Sequence, residues 1–328
     1  MNIRVQPLQS PFPWFGGKSR VASIVWRYFG NVPNYIEPFF GSGAVLLGRP
    51  HAPQVETIND KDCYVANFWR AVKNDPNSVA KYADWPVNEA DQHARHRWLV
   101  KQDAFRDRMM SDPDYYDAKI AGWWVWGQSI WIGSGWCSLV QEPAAKRRSL
   151  GSAGRGLSGL GGEPSLQVPH LSSPGQGIKR SRPHLSSPGQ GIKDYMQALM
   201  LRLKNTRVCC GDWSRICGPS PTVNLGITGV LLDPPYSEKA NRKSDLYSVD
   251  DEDVAHAVAA WAIEQGEDKR MRIALCGYEG EHQMPASWKA MHWKAAGGYG
   301  CQGEKQGREN CKREMIWFSP HCIKATLV

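Results

Sequence analysis

Nowhere in the 328 residues is there an uncharged apolar run of the ~18 residues a membrane-spanning helix needs. The N-terminus also lacks the apolar core of a secretory leader. Together these absences predict a soluble, cytoplasmic protein with no membrane partner. The nine cysteines include no CxxC pair; Cys209 and Cys210 are adjacent and the rest are scattered. That spacing gives no disulfide framework and no zinc site, so reduced thiols and no metal are expected. Acids are in deficit, with 32 Asp and Glu against 40 Lys and Arg, a net charge of +8 and a pI near 9.0. A basic balance favours polyanionic partners such as nucleic acid. What the chain has in quantity is tryptophan, 15 residues of it, a side chain that serves both cores and base stacking.

The first 75 residues alternate in the α/β manner. "SRVASIVWRYF" carries Val21, Ile24, Val25, Tyr28 and Phe29 at helical spacing. "NYIEPFF" (34–40) reads as a short strand, followed by a glycine turn at Gly41–Gly43 and a helix start at "AVLL". "QVETIND" reads as a second strand ending on acids, and "CYVANFWRAVKNDP" as a helix stopped by Pro76. From about 77 to 200 the character changes. "DQHARHRWLVKQDAFRDRMM" is charged and helical in pattern, and five tryptophans fall between Trp123 and Trp136. Adjacent Trp123 and Trp124 cannot share one helix face, so the cluster reads as core of a middle lobe rather than a stacking surface. "PHLSSPGQGIK" at 169–179 recurs unchanged at 183–193, which reads as a duplicated, loop-like basic insertion rather than a solenoid.

Alternation then resumes with a helix, "YMQALMLRLKN", and the strands "RVCCGDW" and "GVLLDPPY". After them come the helix "SVDDEDVAHAVAAWAIEQG", opened by Ser248 and Asp251, and the strands "MRIALCGY" and "REMIWFS". "GYGCQGEKQGREN" (298–310) reads as a mobile glycine-rich loop, with a lid over a substrate and plain disorder as the two alternatives. The organisation predicted is a doubly wound α/β core made of residues 1–76 and 195–328. It is interrupted by a mostly helical lobe over 77–194 that carries the insert at 169–193.

In "EPFFGSGAVLL" (37–47), Gly41 and Gly43 allow close backbone approach at a strand-to-helix turn. The spacing is not that of a full dinucleotide fingerprint, and no Gly-Lys-Ser/Thr follows to make a phosphate loop. The next strand ends on Asn59–Asp60, where such folds grip ribose hydroxyls. A nucleoside ligand without a pyrophosphate, S-adenosylmethionine, fits both features. Glu37 is a further candidate for that ligand; for it and for Asp62 local pairing or capping is the alternative. Asp233-Pro234-Pro235-Tyr236 ends a buried-looking strand where the crevice of a parallel sheet lies. Its carboxylate and rigid backbone carbonyls could accept hydrogen bonds from an exocyclic amine, and its tyrosine could stack on the base.

"PWFGGK" (13–18), "YIEPFFGSGAV" (35–45), "INDKD" (58–62), "GDW" (211–213), "DPPY" (233–236) and "KREMIWFS" (312–319) occur in that order. In this the chain resembles the Dam-type, D12-class DNA N6-adenine methyltransferases of the α arrangement. That resemblance implies a Rossmann-like S-adenosylmethionine-dependent core with an inserted target-recognition domain, acting on double-stranded DNA. It implies that Phe39, Gly41 and Gly43 line the methionine and ribose side of the cofactor and that Asp60 holds the ribose. Asp212 would bind the cofactor adenine with Trp213 beside the ring, while Trp14, Gly16, Gly17 and Lys18 complete the pocket. Asp233, Pro234, Pro235 and Tyr236 would hold a flipped-out adenine. Pro13 stands where the family usually has a DNA-contacting basic residue. Cytosine-N4 methylation, RNA as substrate and a non-catalytic DNA-binding module are the alternatives. Nothing in the motifs specifies a DNA word, a partner endonuclease or an oligomeric state.

Overall fold

A computed structural model of the chain describes residues 7–14, 16–131, 136–137, 190–236, 254–293 and 313–323. Seven strands form one sheet in the order β3-β2-β1-β4-β5-β7-β6. They are β1 (Asn34–Glu37), β2 (Val55–Asp60), β3 (Thr206–Cys210), β4 (Thr228–Leu232), β5 (Met271–Tyr278), β6 (Lys289–His292) and β7 (Glu314–Phe318). The first five in that order pair in parallel, and β7 runs antiparallel to both β5 and β6.

A parallel strand covered on both faces has no polar side to show, and β1 and β4 are buried along their whole length. The period of two divides each strand between two apolar layers. Leu231, Ala274, Cys276, Ile316 and Phe318 face one core, which also holds Val25 and Phe29 of α1 (Ala22–Phe29) and most of α3 (Cys63–Asn74). Val230, Leu232, Ile273, Leu275 and Trp317 face the other, with Val258 and Ala262 of α9 (Val254–Gln265). This is the mixed α/β architecture with a mostly parallel central sheet that the sequence pattern predicts.

Several element ends differ from the sequence pattern, each for a local reason. β1 stops at Glu37, three residues early, because Pro38 has no N–H to continue the ladder. Pro76 both follows α3 and opens α4 (Pro76–Ala83), with Asp75 capping through the Ser78 N–H at 3.1 Å. The charged stretch 91–110 is two helices, α5 (Glu89–Val100) and α6 (Asp103–Ser111). Between them Gln102 leaves helical geometry, and its side-chain amide donates to the Trp98 carbonyl at 2.8 Å. β6 was not foreseen: its burial is mostly exposed over four residues, and it carries no apolar alternation.

α7 (Ala118–Ile130) buries Trp124 and Trp126, and Trp136 packs beside them, as expected of core tryptophans. Arg95 of α5 lies over the rings of Trp85, Trp123 and Trp126 at 5.2, 4.9 and 4.3 Å. α8 (Gln190–Arg202) begins inside the second copy of the repeat. Residues 190–193 are therefore helical rather than loop, and Ile192 is buried. The first copy, the segment 237–253 with its Ser248–Asp251 cap, and the glycine-rich stretch 298–310 lie outside the described residues. Apolar residues of α4 to α8 share one continuous core with α1 and α3.

α8 is fixed to the sheet by a buried ion network. Glu56 of β2 accepts from Arg202 at 2.6 and 2.9 Å, from Arg49 at 3.1 Å and from the Thr206 hydroxyl at 2.9 Å. Arg49 and Arg202 spend their other nitrogens on the carbonyls of Val32 and Leu46. Both guanidinium charges thus face the Glu56 carboxylate, as buried charges require, although the Arg49 Nε–H has no acceptor among the described residues.

Candidate active site

The strand order reverses direction between β1 and β4, and crevices form at the carboxyl ends of strands at such a point. Here the ends of β1, β2, β3 and β4 converge with Trp14, Gly16, Gly17 and Lys18 on a cleft of about 940 Å³, its open mouth included.

The glycine turn after β1 forms one wall. Gly41 has φ +48, and a Cβ on it would lie 2.4 Å from the indole nitrogen of Trp14, so only glycine admits that ring. Gly43, at φ 68, precedes α2 (Ala44–Leu47) and packs under Phe40 and Trp69. Asn59 stitches three strand ends together, donating to the carbonyls of Pro38 at 3.1 Å and Gly211 at 2.9 Å.

Asp60, the last residue of β2, accepts from the backbone N–H groups of Gly41 and Asp62, each at 2.9 Å. Burial, followed by the neighbouring charge of Asp62, pushes its pKa up to about 7 in spite of those donors. Asp62 caps α3 through the Tyr64 N–H at 2.8 Å, the local role expected for it, and it also lines the cleft. Glu37 accepts from the Tyr35 hydroxyl at 2.8 Å, and burial raises its carboxyl well above the usual range.

After β3, Asp212 caps a short 3-10 turn through the backbone and hydroxyl of Ser214, whose hydrogen bonds hold its pKa down. Trp213 stacks on Phe39 with ring centroids 6.4 Å apart and planes 29° apart, and it meets Trp261 edge-on. Both rings line the cleft.

The far end is built on Lys18. Its ammonium donates to the Gly16 carbonyl at 2.7 Å, forms an ion pair with Asp233 at 2.8 Å and reaches the Tyr236 hydroxyl at 3.3 Å. Burial opposes the cation, but Asp233 and other nearby acids outweigh it, so its pKa is raised. Burial raises Asp233 while the Lys18 charge pulls it down. Trp14, Gly16, Gly17, Asp233 and Pro235 line the cleft, whereas Gly43, Pro234 and Tyr236 are not among the lining residues. Tyr236 is only 7% exposed and meets Tyr278 edge-on at 4.5 Å.

Sequence reasoning missed Glu314, the first residue of β7, which accepts from the Tyr236 hydroxyl at 2.9 Å. The available signal was a lone acid opening the apolar run "EMIWF".

The lining fits a nucleoside carrying positive charge better than a phosphate ester. Glu37, Asp60, Asp62, Asp212 and Asp233 face Lys18 and Lys61, and Lys18 is already paired. Among the described residues no group of His, Cys, Asp or Glu is arranged to hold a metal ion.

Residues 14–118 match the D12 class N6 adenine-specific DNA methyltransferase family. That span takes in the glycine turn, Asp60 and the helices α3 to α6. The chain is also similar to a DNA N-6-adenine-methyltransferase of Escherichia phage P1, with 28% identity over 104 residues. The aligned part is 32% of this chain and 13% of that relative's length. No helix among the described residues is long and apolar enough to cross a membrane.

Proposed function

We propose that the chain transfers a methyl group from S-adenosylmethionine to N6 of adenine in DNA. The observation that carries this reading is the meeting, in one cleft, of the glycine turn with Asp60, of Asp212 with Trp213, and of Asp233 with Pro235. The D12-class match over residues 14–118 supports it. S-adenosylmethionine supplies a methyl group on a sulfonium, which a site rich in carboxylates favours electrostatically.

In this reading Asp60 accepts from the ribose hydroxyls, and the Phe39–Trp213 pair and Asp212 take the adenine ring and its amine. Gly41 and Trp14 shape the path between ribose and methionine. Asp233 and the carbonyls around Pro234 and Pro235 accept from the N6 amine of the target, lowering its conjugation with the ring and aiming its lone pair. Tyr236 stands behind that carboxylate. A base inside a duplex cannot enter a cleft of this depth, so the target adenine flips out. DNA recognition is assigned in this reading to residues 77–194, and the basic balance of the chain gives affinity for the backbone.

Incubation with methyl-labelled S-adenosylmethionine and unmethylated duplex DNA, followed by nucleoside analysis, tests the reading. Labelled N6-methyladenine is expected. Label only in N4-methylcytosine would move the target to cytosine, and binding without transfer would make the chain a DNA-binding module.

A further inference from the structure

Asp233 is not the end of the hydrogen-bonded chain at the base side of the cleft. Tyr236 Oη lies 3.4 Å from Asp233 Oδ1 and 2.9 Å from Glu314 Oε2, and it receives the Lys18 ammonium at 3.3 Å. A phenol has one proton to give. The shorter contact directs it to Glu314, which leaves the oxygen lone pairs facing Lys18 and Asp233. The bond to Asp233 is therefore poised to run the other way, from a protonated Asp233 to Tyr236. Glu314 is 5% exposed and Tyr236 7%, so bulk water does not substitute for either partner. Lys18 faces both carboxyl groups, and burial raises the proton affinity of each. A cluster with two carboxyl groups around that ammonium has room for one more proton.

We propose that Tyr236 and Glu314 form a proton relay behind Asp233 that takes up the proton the adenine amine loses on methylation. The inference rests on the adenine-methylation reading above. N6 bonds to the methyl carbon as the carbon–sulfur bond breaks, and that electron pair stays on sulfur. The resulting cationic nitrogen gives a proton to Asp233 Oδ1. Asp233 passes it to Tyr236 Oη, and the hydroxyl proton already on Tyr236 moves to Glu314 Oε2. No co-reactant is consumed. When the base leaves, the proton returns along the same two bonds to Asp233, which is 22% exposed, and goes to water. Asp233 is the residue that touches the amine; Tyr236 and Glu314 act through it.

The test uses the full chain in single turnover on unmethylated duplex DNA. Glu314→Gln keeps an oxygen that accepts from Tyr236 and cannot take a proton. The rate of N6-methyladenine formation is expected to fall by about 100-fold, the scale of a lost acid–base group. S-adenosylmethionine affinity and the unfolding temperature should stay at their wild-type values. Tyr236→Phe cuts the relay at its middle, and the double variant should lose no more than Tyr236→Phe alone. Wild-type turnover should be slower in deuterium oxide, and that slowing should vanish in Glu314→Gln. Glu314→Gln at the wild-type rate would overturn the relay, as would wild-type turnover equally fast in light and heavy water. The heavy-water comparison stands even if the glutamine variant does not fold. A wild-type chain that forms no N6-methyladenine would instead overturn the function on which the relay rests.

Discussion

The carboxyl group of Asp60 titrates near pH 7, so cofactor affinity should carry a pH dependence that can be removed by one substitution. Ribose hydroxyls donate to an ionised carboxylate, and only the ionised fraction binds well. At one pH unit below its pKa about a tenth of the chains are ionised, so affinity should fall about tenfold, or about 1.4 kcal/mol. Between pH 7 and 5 the dissociation constant should rise by about a decade per unit. In Asp60→Asn that slope should disappear, and affinity at pH 8 should be lower than wild type. The stability of the cofactor-free chain runs the opposite way. The folded pKa lies above the unfolded one, so the folded state holds more protons between about pH 4 and 7 and loses stability as pH rises through that window. A raise of about three units corresponds to a cost of about 4 kcal/mol above pH 7. An asparagine escapes that cost but cannot accept from both Gly41 and Asp62, which returns about 1–3 kcal/mol. The cofactor-free variant should therefore be more stable than wild type at pH 8 by about 1–3 kcal/mol, with the advantage gone at pH 4. Calorimetric titration with S-adenosylmethionine and thermal unfolding across pH measure both. A wild-type affinity that is flat from pH 8 to 6, or a slope that survives in Asp60→Asn, would refute the reasoning.

Other substitutions separate chemistry from scaffold. Asp233→Ala should lower methyl transfer by at least about 100-fold with cofactor affinity retained. It should also cost about 3–5 kcal/mol of stability, because the buried Lys18 ammonium loses its partner; transfer is read with labelled cofactor and stability by denaturant titration. Glu56→Ala should destabilise by about 3–5 kcal/mol by stranding Arg49 and Arg202, visible as a large drop in unfolding temperature with added salt giving little rescue. Gly41→Ala meets both a left-handed φ and the Trp14 ring, and should weaken S-adenosylmethionine binding more than it weakens the fold; equal affinity in calorimetry would count against the role of that turn. DNA binding should weaken steeply with salt, as measured by anisotropy with a labelled duplex.

The elements that the sequence made legible are those whose cause is local. β4 and β5 carry apolar runs, β1 and β2 are short stretches ended by Pro38 and by acids, and α1 and α3 carry their burial at helical spacing. β6 was illegible because an edge strand paired on one side keeps exposed side chains and no alternation. The repeat misled for a related reason. Its Pro, Gly and Ser content describes a loop, but "QGIK" (190–193) in the second copy is drawn into α8 because Ile192 meets an apolar core supplied from elsewhere.

The site divides along the same line. Gly41, Asp60, Asp212 and Asp233 sit at strand ends, where a parallel sheet gathers residues that short motifs can flag one by one. Glu314 lies inside the "KREMIWFS" motif, but nothing in that motif assigns it a role. It reaches Tyr236 across 78 residues of chain, because β7 runs antiparallel to β5 and sets Glu314 opposite Tyr278. Lys18 shows both sides of the matter. Its sequence neighbours marked it as part of the pocket, yet its partner Asp233 is 215 residues away, and only the fold reveals that each holds the other's charge. That pairing joins the segment before α1 to the one leaving β4 at one end of the cleft. A substitution at Asp233 is therefore expected to act on rate and stability together, whereas Glu314→Gln should change rate alone.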